Sequence, residues 1–550
     1  MNGATGCFDP NATKAAVVLS GGWTVLPCDR GVAAIAGQTF GSDRISGNAL
    51  LDGTVPCLDG HYALVAHDET CHRLVLARDP AGSTALFWHK DRAGCIRFAT
   101  RLDALLDALP AVPALSTSGL DEYLRFLDIA APNTIYDGVY ALEAGQAIEF
   151  GLSGTRTLQS AGAPISVPDA YAAACDEVES RLGDAISRRL AGSASAAAFL
   201  SGGIDSALLC ALAAQRGHRI EACTVGFDSP DLDESPTAAR IARHLGIRHH
   251  VLRPDADTLA AAFGRAHALA EQPYCDPAGM PTRLAFEACA GRADRVLDGT
   301  GAEALPGEMP PRWRRIANDW VAPWPRSLRR TTSAALRTLP GIAGYARMFA
   351  FEVPQDLFIR WHGFSADDIA RLTGHVPDLS GTHFYRCYAE LRNASPLKRQ
   401  SVLQGLALPD DRIRQAALAT GLRVEQPFAA PDVSRLLQAL HEDWCWQPGR
   451  PKRLLRDLLA RHVPEAIWNT PKRGFNIDLA AILRSHDHRL IREHLGNTTS
   501  LARLPLDTDE VVRWRDRFIT GDDAALHRVW GLLNLSAWLA RRRSAASALA

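Results

Sequence analysis

A six-residue loop limits what this chain can fold into more than any other feature. Ala196-Ala-Ala-Phe-Leu200 is a short apolar run of the kind that forms a buried strand. Ser201-Gly-Gly-Ile-Asp-Ser206 follows at once. Ala207-Leu-Leu-Cys-Ala-Leu-Ala-Ala214 then continues as a helix that Gly217 can stop. Two glycines between a strand and a helix let backbone N–H groups approach an anion closely, and the helix N-terminus adds its partial positive charge. Ser201 and Ser206 offer hydroxyls to phosphate oxygens. Asp205 would be repelled by phosphate unless a cation lay between them, so it implies Mg2+. The plainer reading is a tight strand–helix turn with an Asp/Ser cap.

The surrounding pattern agrees with a parallel sheet. From Ala172 onward, long helical stretches alternate with short apolar strands, the habit of an α/β domain. The preceding region reads differently. Tyr62–Ala66, Leu74–Ala77 and Leu86–Trp88 are short strands between Asp, Gly and Pro turns, with helical spacing at Leu102–Leu109 and Leu120–Leu127. A further strand pair is expected around the Glu143-Ala-Gly-Gln146 turn. Gly151 to Pro168, rich in Ser, Gly and Thr, reads as a linker, and after Pro306 the chain is mainly helical. At 550 residues it is too long for one core.

Bulk numbers exclude several classes. Lys and Arg number 60 against 61 Asp and Glu, so nothing favours bulk nucleic-acid binding or an anionic membrane surface. No uncharged apolar run reaches the roughly 20 residues that span a bilayer. The first residues show no signal peptide. Twelve cysteines lie scattered without a C-x-x-C pair, which favours reduced thiols over a disulfide frame or zinc site. The expected location is the cytoplasm. The histidines His61, His67 and His72 fit no common ligand spacing and are read as structural or exposed.

Five pieces in order carry a family resemblance. The loop resembles the pyrophosphate loop of N-type ATP pyrophosphatases. Thr224-Val-Gly-Phe227 leads to Asp233-Glu-Ser-Pro-Thr-Ala-Ala-Arg240 and a helix ending at Gly246; Glu271-Gln-Pro-Tyr-Cys-Asp276, Arg295-Val-Leu-Asp-Gly-Thr-Gly-Ala-Glu303, Asn469-Thr-Pro-Lys-Arg-Gly-Phe475 and Val529–Trp538 follow. This order resembles asparagine synthetase B and its relatives, almost end to end. The resemblance implies an N-terminal Ntn-hydrolase-like α/β/β/α domain of the glutamine amidotransferase type over residues 1–160. Residues 161–550 would form an adenine-nucleotide α-hydrolase-like synthetase domain, a parallel α/β sheet with a helical extension.

By that resemblance ATP is bound at Leu200, Ser201, Gly202, Gly203, Ile204, Asp205, Ser206, Val225, Asp298 and Gly299. Asp205 and Glu303 would hold Mg2+, although the family has Asp where Glu303 stands and Glu where Ala304 stands. Lys472 would stabilise charge on the α-phosphate and tetrahedral intermediate. Taken alone it reads as a solvated loop lysine beside Arg473. Lys452, in Arg450-Pro-Lys-Arg453, matches a family lysine near the phosphates and is equally read as surface helix charge. Arg312-Trp-Arg-Arg315 reads as a solvated basic face with a packed Trp, or as a receiver of an acidic or extended peptide.

Two replacements shift the expected reaction. Where the synthetases carry their N-terminal nucleophilic cysteine this chain has Asn2, and an amide forms no thioester. Cys7 lacks the free α-amine that serves as base. Thr300 stands where the synthetases use a carboxylate and the β-lactam synthetases a Tyr. The pattern is closest to lasso-peptide macrocyclases, which adenylate an Asp or Glu side chain of a precursor peptide and join it to the peptide's N-terminal amine. The expected partners are that precursor and a leader-removing protease. The alternatives are an amide ligase using free ammonia, a β-lactam synthetase-like cyclase, or a non-catalytic biosynthetic scaffold.

Overall fold

Strand alternation governs the N-terminal part. A computed structural model describes residues 3–9, 16–40, 45–151, 154–159, 162, 164–359, 363–406, 411–471 and 477–548. In chain order the first strands are β1 (Thr5–Asp9), β2 (Ala16–Ser20), β3 (Trp23–Leu26), β4 (Gly31–Thr39), β5 (Gly60–Asp68) and β6 (Arg73–Arg78). Then come β7 (Phe87–Lys90), β8 (Ile96–Ala99), β9 (Val139–Ala141), β10 (Gln146–Gly151) and β11 (Gly154–Gln159). They form two antiparallel sheets, ordered β2-β1-β8-β7-β9 and β11-β10-β6-β5-β4-β3. Val65, Leu74 and Leu76 of the second sheet meet Phe8, Ile96 and Phe98 of the first. Leu64, Ala66 and Val75 point the other way, onto Leu50 and Leu51 of the short helix Gly47–Leu51. The two-residue period of a strand requires this split.

Two expectations here are corrected. β9 and β10 do flank the Glu143–Gln146 turn but do not pair: β9 joins β7, and β10 joins β6 and β11. The turn therefore passes the chain from one sheet to the other. The region read as a linker contains β11, an edge strand paired with β10 from Gln146–Gln159 to Gly151–Gly154. Its Ser, Gly and Thr content is that of an exposed edge, which composition cannot separate from a linker.

The second half builds one parallel sheet from β12 (Ala196–Phe199), β13 (Ile220–Val225), β14 (Arg248–Leu252), β15 (Arg295–Leu297) and β16 (Arg423–Glu425), ordered β14-β13-β12-β15-β16. β12 is central. The chain winds outward from it to β13 and β14, then returns to its other side with β15. That reversal opens a crevice beyond the carboxyl ends of β12, β13 and β15, the standard ligand position in such sheets. β16 comes from the stretch expected to be helical; three residues are too few for a periodic signal.

The halves share a core. Helix Thr117–Phe126 packs in one cluster with helix Leu526–Ala548, through Leu120, Leu124, Trp530 and Leu533. Tyr123 Oη donates to Gly531 O at 2.8 Å. Among the described residues, no helix is long and apolar enough to cross a membrane.

Glu122 on the same helix is 1% exposed and accepts bonds from Asn133 Nδ2 (2.6 Å) and Ala130 N (3.1 Å). Burial outweighs these donors and pushes its carboxyl up to about 7. A carboxyl raised in the fold favours folding below its ordinary value near 4.5 and loses that contribution as pH rises through 7. The loss is on the order of 3 kcal/mol. Melting temperature should fall between pH 5 and about 8 in the wild type. In Glu122→Gln it should stay flatter; identical profiles in the two proteins would contradict the assignment.

Candidate active site

The loop sits where the sheet reverses. Leu200–Gly203 connect β12 to helix Ile204–Gln215, whose N-cap, Gly203, has no side-chain cap bond. The first-turn N–H groups of that helix are thus not consumed by a capping side chain, and they face the crevice with the positive end of the helix dipole. Ser201 Oγ and Ser206 Oγ lie 2.9 Å apart, and Ser201 Oγ accepts from Gly203 N at 3.1 Å. The serines therefore hold the loop closed on itself. Each hydroxyl is engaged within the loop, and both serines line the cleft that opens from it. Ile204 packs its side chain against the core, so what it offers the loop is its backbone.

A cleft of about 240 Å³ opens from the loop. Leu200, Ser201, Asp205, Ser206, Val225, Asp298, Gly299, Thr300 and Glu303 line it, so most of the residues singled out in the sequence converge there. Gly202 and Gly203 lie in the turn at its edge. Phe199, Phe227, Ala285 and Ile413 form an apolar end suited to a planar base. Thr224 Oγ1 donates to Leu200 O and meets His249 Nε2 at 2.7 Å, which ties β13 to the start of the loop. Asp298 Oδ1 accepts from Thr300 N at 2.9 Å, and Glu303 Oε2 accepts from Gly301 N at 2.9 Å. Gly301 is required here: its φ is +99°, and a Cβ would stand 2.8 Å from Ala429 N.

Beside the cleft lies a charged recess lined by Asp205, Glu303, Glu308, Ser401, Gln404 and Lys452. Lys452 Nζ donates to Asp205 Oδ2 at 2.6 Å, and its side chain is 12% exposed. This decides between the two readings of Lys452: it is not surface helix charge. Its backbone is left-handed, φ +53°, just before helix Arg453–His462, and its N–H donates to Gly307 O at 2.9 Å. A lysine held in that region costs roughly 1–2 kcal/mol, a strain that marks functional positions. Burial alone would push the Lys452 ammonium down; the carboxylates of Asp205, Glu303 and Glu308 outweigh it and hold the ammonium above its ordinary value.

Other residues were not legible in advance. Glu308 and Gln404 complete the recess from a proline-rich loop and a helix face, with no spacing signal. His61, read as structural or exposed, instead bridges the halves: its Nε2 lies 3.1 Å from Glu425 Oε2 on β16. His67 is buried against Phe8, and His72 is exposed. Lys472 and Asn2 fall outside the described residues.

Comparison with known proteins agrees with this geometry. The asparagine synthase family model matches residues 177–540, and the glutamine amidotransferase domain model matches residues 50–160. A protein of Mycobacterium tuberculosis (strain ATCC 25618 / H37Rv), assigned as a glutamine-hydrolyzing asparagine synthetase, is 26% identical over 531 residues, covering 91% of this chain and 80% of its own length. Asparagine synthetase (glutamine-hydrolyzing) 1 of Bacillus subtilis (strain 168) is 21% identical over 499 residues, 88% of this chain and 77% of its own. The synthase match spans more than half of the chain and includes every residue of the cleft and recess. The chain therefore belongs to the asparagine synthase family, and it is an ATP-dependent ligase that joins carbon to nitrogen.

Proposed function

We propose that the chain is a macrocyclase of the lasso-peptide type. One oxygen of an Asp or Glu side chain in a precursor peptide attacks the α-phosphorus of ATP, and pyrophosphate leaves. The peptide's N-terminal amine then attacks the acyl carbon, sheds a proton and expels AMP. The product is an isopeptide ring. Both reactants sit on one bound chain, so ring closure gains from proximity.

The observation that carries this reading concerns the amine. A glutaminase of this family type needs a cysteine with a free α-amine, and Cys7 is held inside β1 with ladders on both sides. Its Sγ lies 3.3 Å from Cys95 Sγ. With no thiol so placed among the described residues, the attacking amine is best supplied by the substrate itself. Thr300 in the cleft offers neither the carboxylate nor the phenol used by the synthetases and β-lactam synthetases, which favours a substrate other than free aspartate.

In this reading the loop's backbone N–H groups hold phosphate oxygens, and Lys452 opposes charge that develops beside Asp205. The residues suit Mg2+. Asp205 Oδ1 is buried without a hydrogen-bond partner among the described residues, and Glu303 shares its recess. Mg2+ is commonly held by one or two carboxylates together with substrate phosphates, whose charge it neutralises. A leader-removing protease is the expected partner.

ATP–pyrophosphate exchange tests the proposal. Exchange should depend on a peptide with a free N-terminus and an internal acid. If free aspartate alone sustains full exchange, the ammonia-using amide ligase replaces the macrocyclase. If ATP does not bind, the scaffold reading wins. Lys472→Ala should lower product formation by about 10²–10³-fold while the melting curve stays unchanged; full activity in that variant would remove Lys472 from the mechanism.

A further inference from the structure

The segment from Arg312 to Arg347 is charged unlike the rest of the chain. It holds eight arginines and one acid, Asp319, whereas the whole chain balances 60 basic against 61 acidic residues. It is built from helix Arg312–Ile316, a wide turn of helix at Ala317–Val321, helix Arg326–Arg337 and a tight turn of helix at Ala343–Met348. Some of its arginines are structural. Arg326 and Arg330 pair with Asp367, and buried Arg329 donates to the carbonyls of Phe351 and Glu352. Arg312, Arg315, Arg337 and Arg347 make no ion pair among the described residues. Arg315 Nε is buried without a hydrogen-bond partner among the described residues.

Large apolar side chains stand exposed between these cations. Trp320 is 74% exposed, Tyr345 60%, Leu328 49% and Trp324 41%. Exposed aromatics interleaved with uncompensated arginine are the composition of a recognition surface. The segment also adjoins the charged recess. Arg312 stands four positions after Glu308, which lines the recess, so their Cα atoms lie within about 14 Å. Helix Pro396–Leu406 links the two directly: Gln400 accepts from Arg314 Nη1 at 3.4 Å, Ser401 donates to Glu303 O, and Gln404 donates to Glu308.

We propose that this segment is the docking platform for the substrate polypeptide, and that it selects a peptide carrying acidic and large apolar side chains beside the carboxylate to be activated. The inference rests on the peptide-ligase reading for its occupant. Charge complementarity selects that occupant: an acidic chain satisfies the four uncompensated arginines, and its apolar side chains cover the tryptophans. Placement within reach of Glu308 delivers its reacting carboxylate to the recess.

The probe is a short fluorescein-labelled peptide with a free N-terminus, one internal Asp, and flanking Glu and Trp residues. Its partner has every Glu replaced by Gln. Fluorescence anisotropy with the full chain should show the acidic form binding about tenfold tighter at low salt, a preference that shrinks at roughly 0.5 M salt. The variant Arg312→Glu/Arg315→Glu/Arg337→Glu should lose that preference and raise the peptide KM in exchange while kcat holds. If the triple variant fails to fold, Arg337→Glu alone, on an exposed side chain, should show the same change at smaller amplitude. Equal binding of the acidic peptide by variant and wild type overturns the proposal. So does a variant whose only defect is weaker sedimentation with phosphatidylserine vesicles, which would make the surface a lipid site. Tight, arginine-dependent peptide binding without any exchange keeps the platform and rejects the macrocyclase reading.

Discussion

Lys452→Met should reduce ATP–pyrophosphate exchange by about 10²–10³-fold, the cost of removing one preorganised charge from a site where charge develops. The substitution keeps most of the side-chain volume and removes only the ammonium. Asp205, Glu303 and Glu308 would then share a recess with no cation among the described residues. Among the described residues Asp205 Oδ1 is already buried without a hydrogen-bond partner, and the variant would take from Oδ2 its lysine. Stability should fall as well, but less than activity, because Asp205 retains 26% side-chain exposure and water can reach it. The pH dependence has a definite sign. The ammonium is raised above its ordinary value of 10.5, so its ion pair is fully present below pH 10.5 and fades as pH climbs through the raised value. Lys452 should therefore give the wild-type rate no alkaline limb between pH 7 and about 10. Exchange measured across that range checks this, and a limb near neutrality that vanishes in Lys452→Met would contradict it.

Asp59→Ala should destabilise the chain by about 3–5 kcal/mol, the usual cost of stranding one member of a buried ion pair. Asp59 lies just before β5, in the N-terminal half. Its carboxylate accepts from Arg189 Nη2 at 2.6 Å and Nη1 at 2.9 Å, and from Arg188 Nη2 at 3.1 Å. Arg188 has a second partner in Asp432, 3.0 Å away. Arg189 is 1% exposed, stacked 4.8 Å over the Phe40 ring, and pairs with no other carboxylate among the described residues. It closes helix Tyr171–Leu190, five residues before β12, and its carbonyl accepts from Arg295 Nη1 at the start of β15. Loss of Asp59 should thus disturb the two strands that flank the crevice and, on the proposed function, lower affinity for ATP. Thermal melting and ATP titration read both effects. Asp59→Leu combined with Arg189→Met should recover much of the stability, because an apolar pair leaves no buried charge. A single variant that melts with the wild type would show the pair to be dispensable.

The strand–loop–helix at Ala196–Ala214 was fully legible because every local signal agrees: an apolar run, two glycines, a periodic helix and a glycine stop. β5, β6 and β7 were legible for the same reason. β11 and β16 were not, since one has the composition of a linker and the other is three residues long. Both are strands only because a neighbour offers unpaired N–H and C=O groups.

The residues of the site divide in the same way. Sequence alone determined the strand–loop–helix at Ser201–Ser206, the parallel sheet around it, and the replacements at Asn2, Thr300 and Glu303, because these are matters of residue type at a fixed spacing. Tertiary structure decided the rest. Lys452 reads in sequence as any lysine before a helix. It becomes the counter-charge of Asp205 only because Gly307 admits its left-handed backbone and the fold brings together positions 247 residues apart. Glu308, Gln404 and the His61–Glu425 bridge have no local signal, since their roles come from long-range packing that sets distances and burial, and no periodicity encodes these.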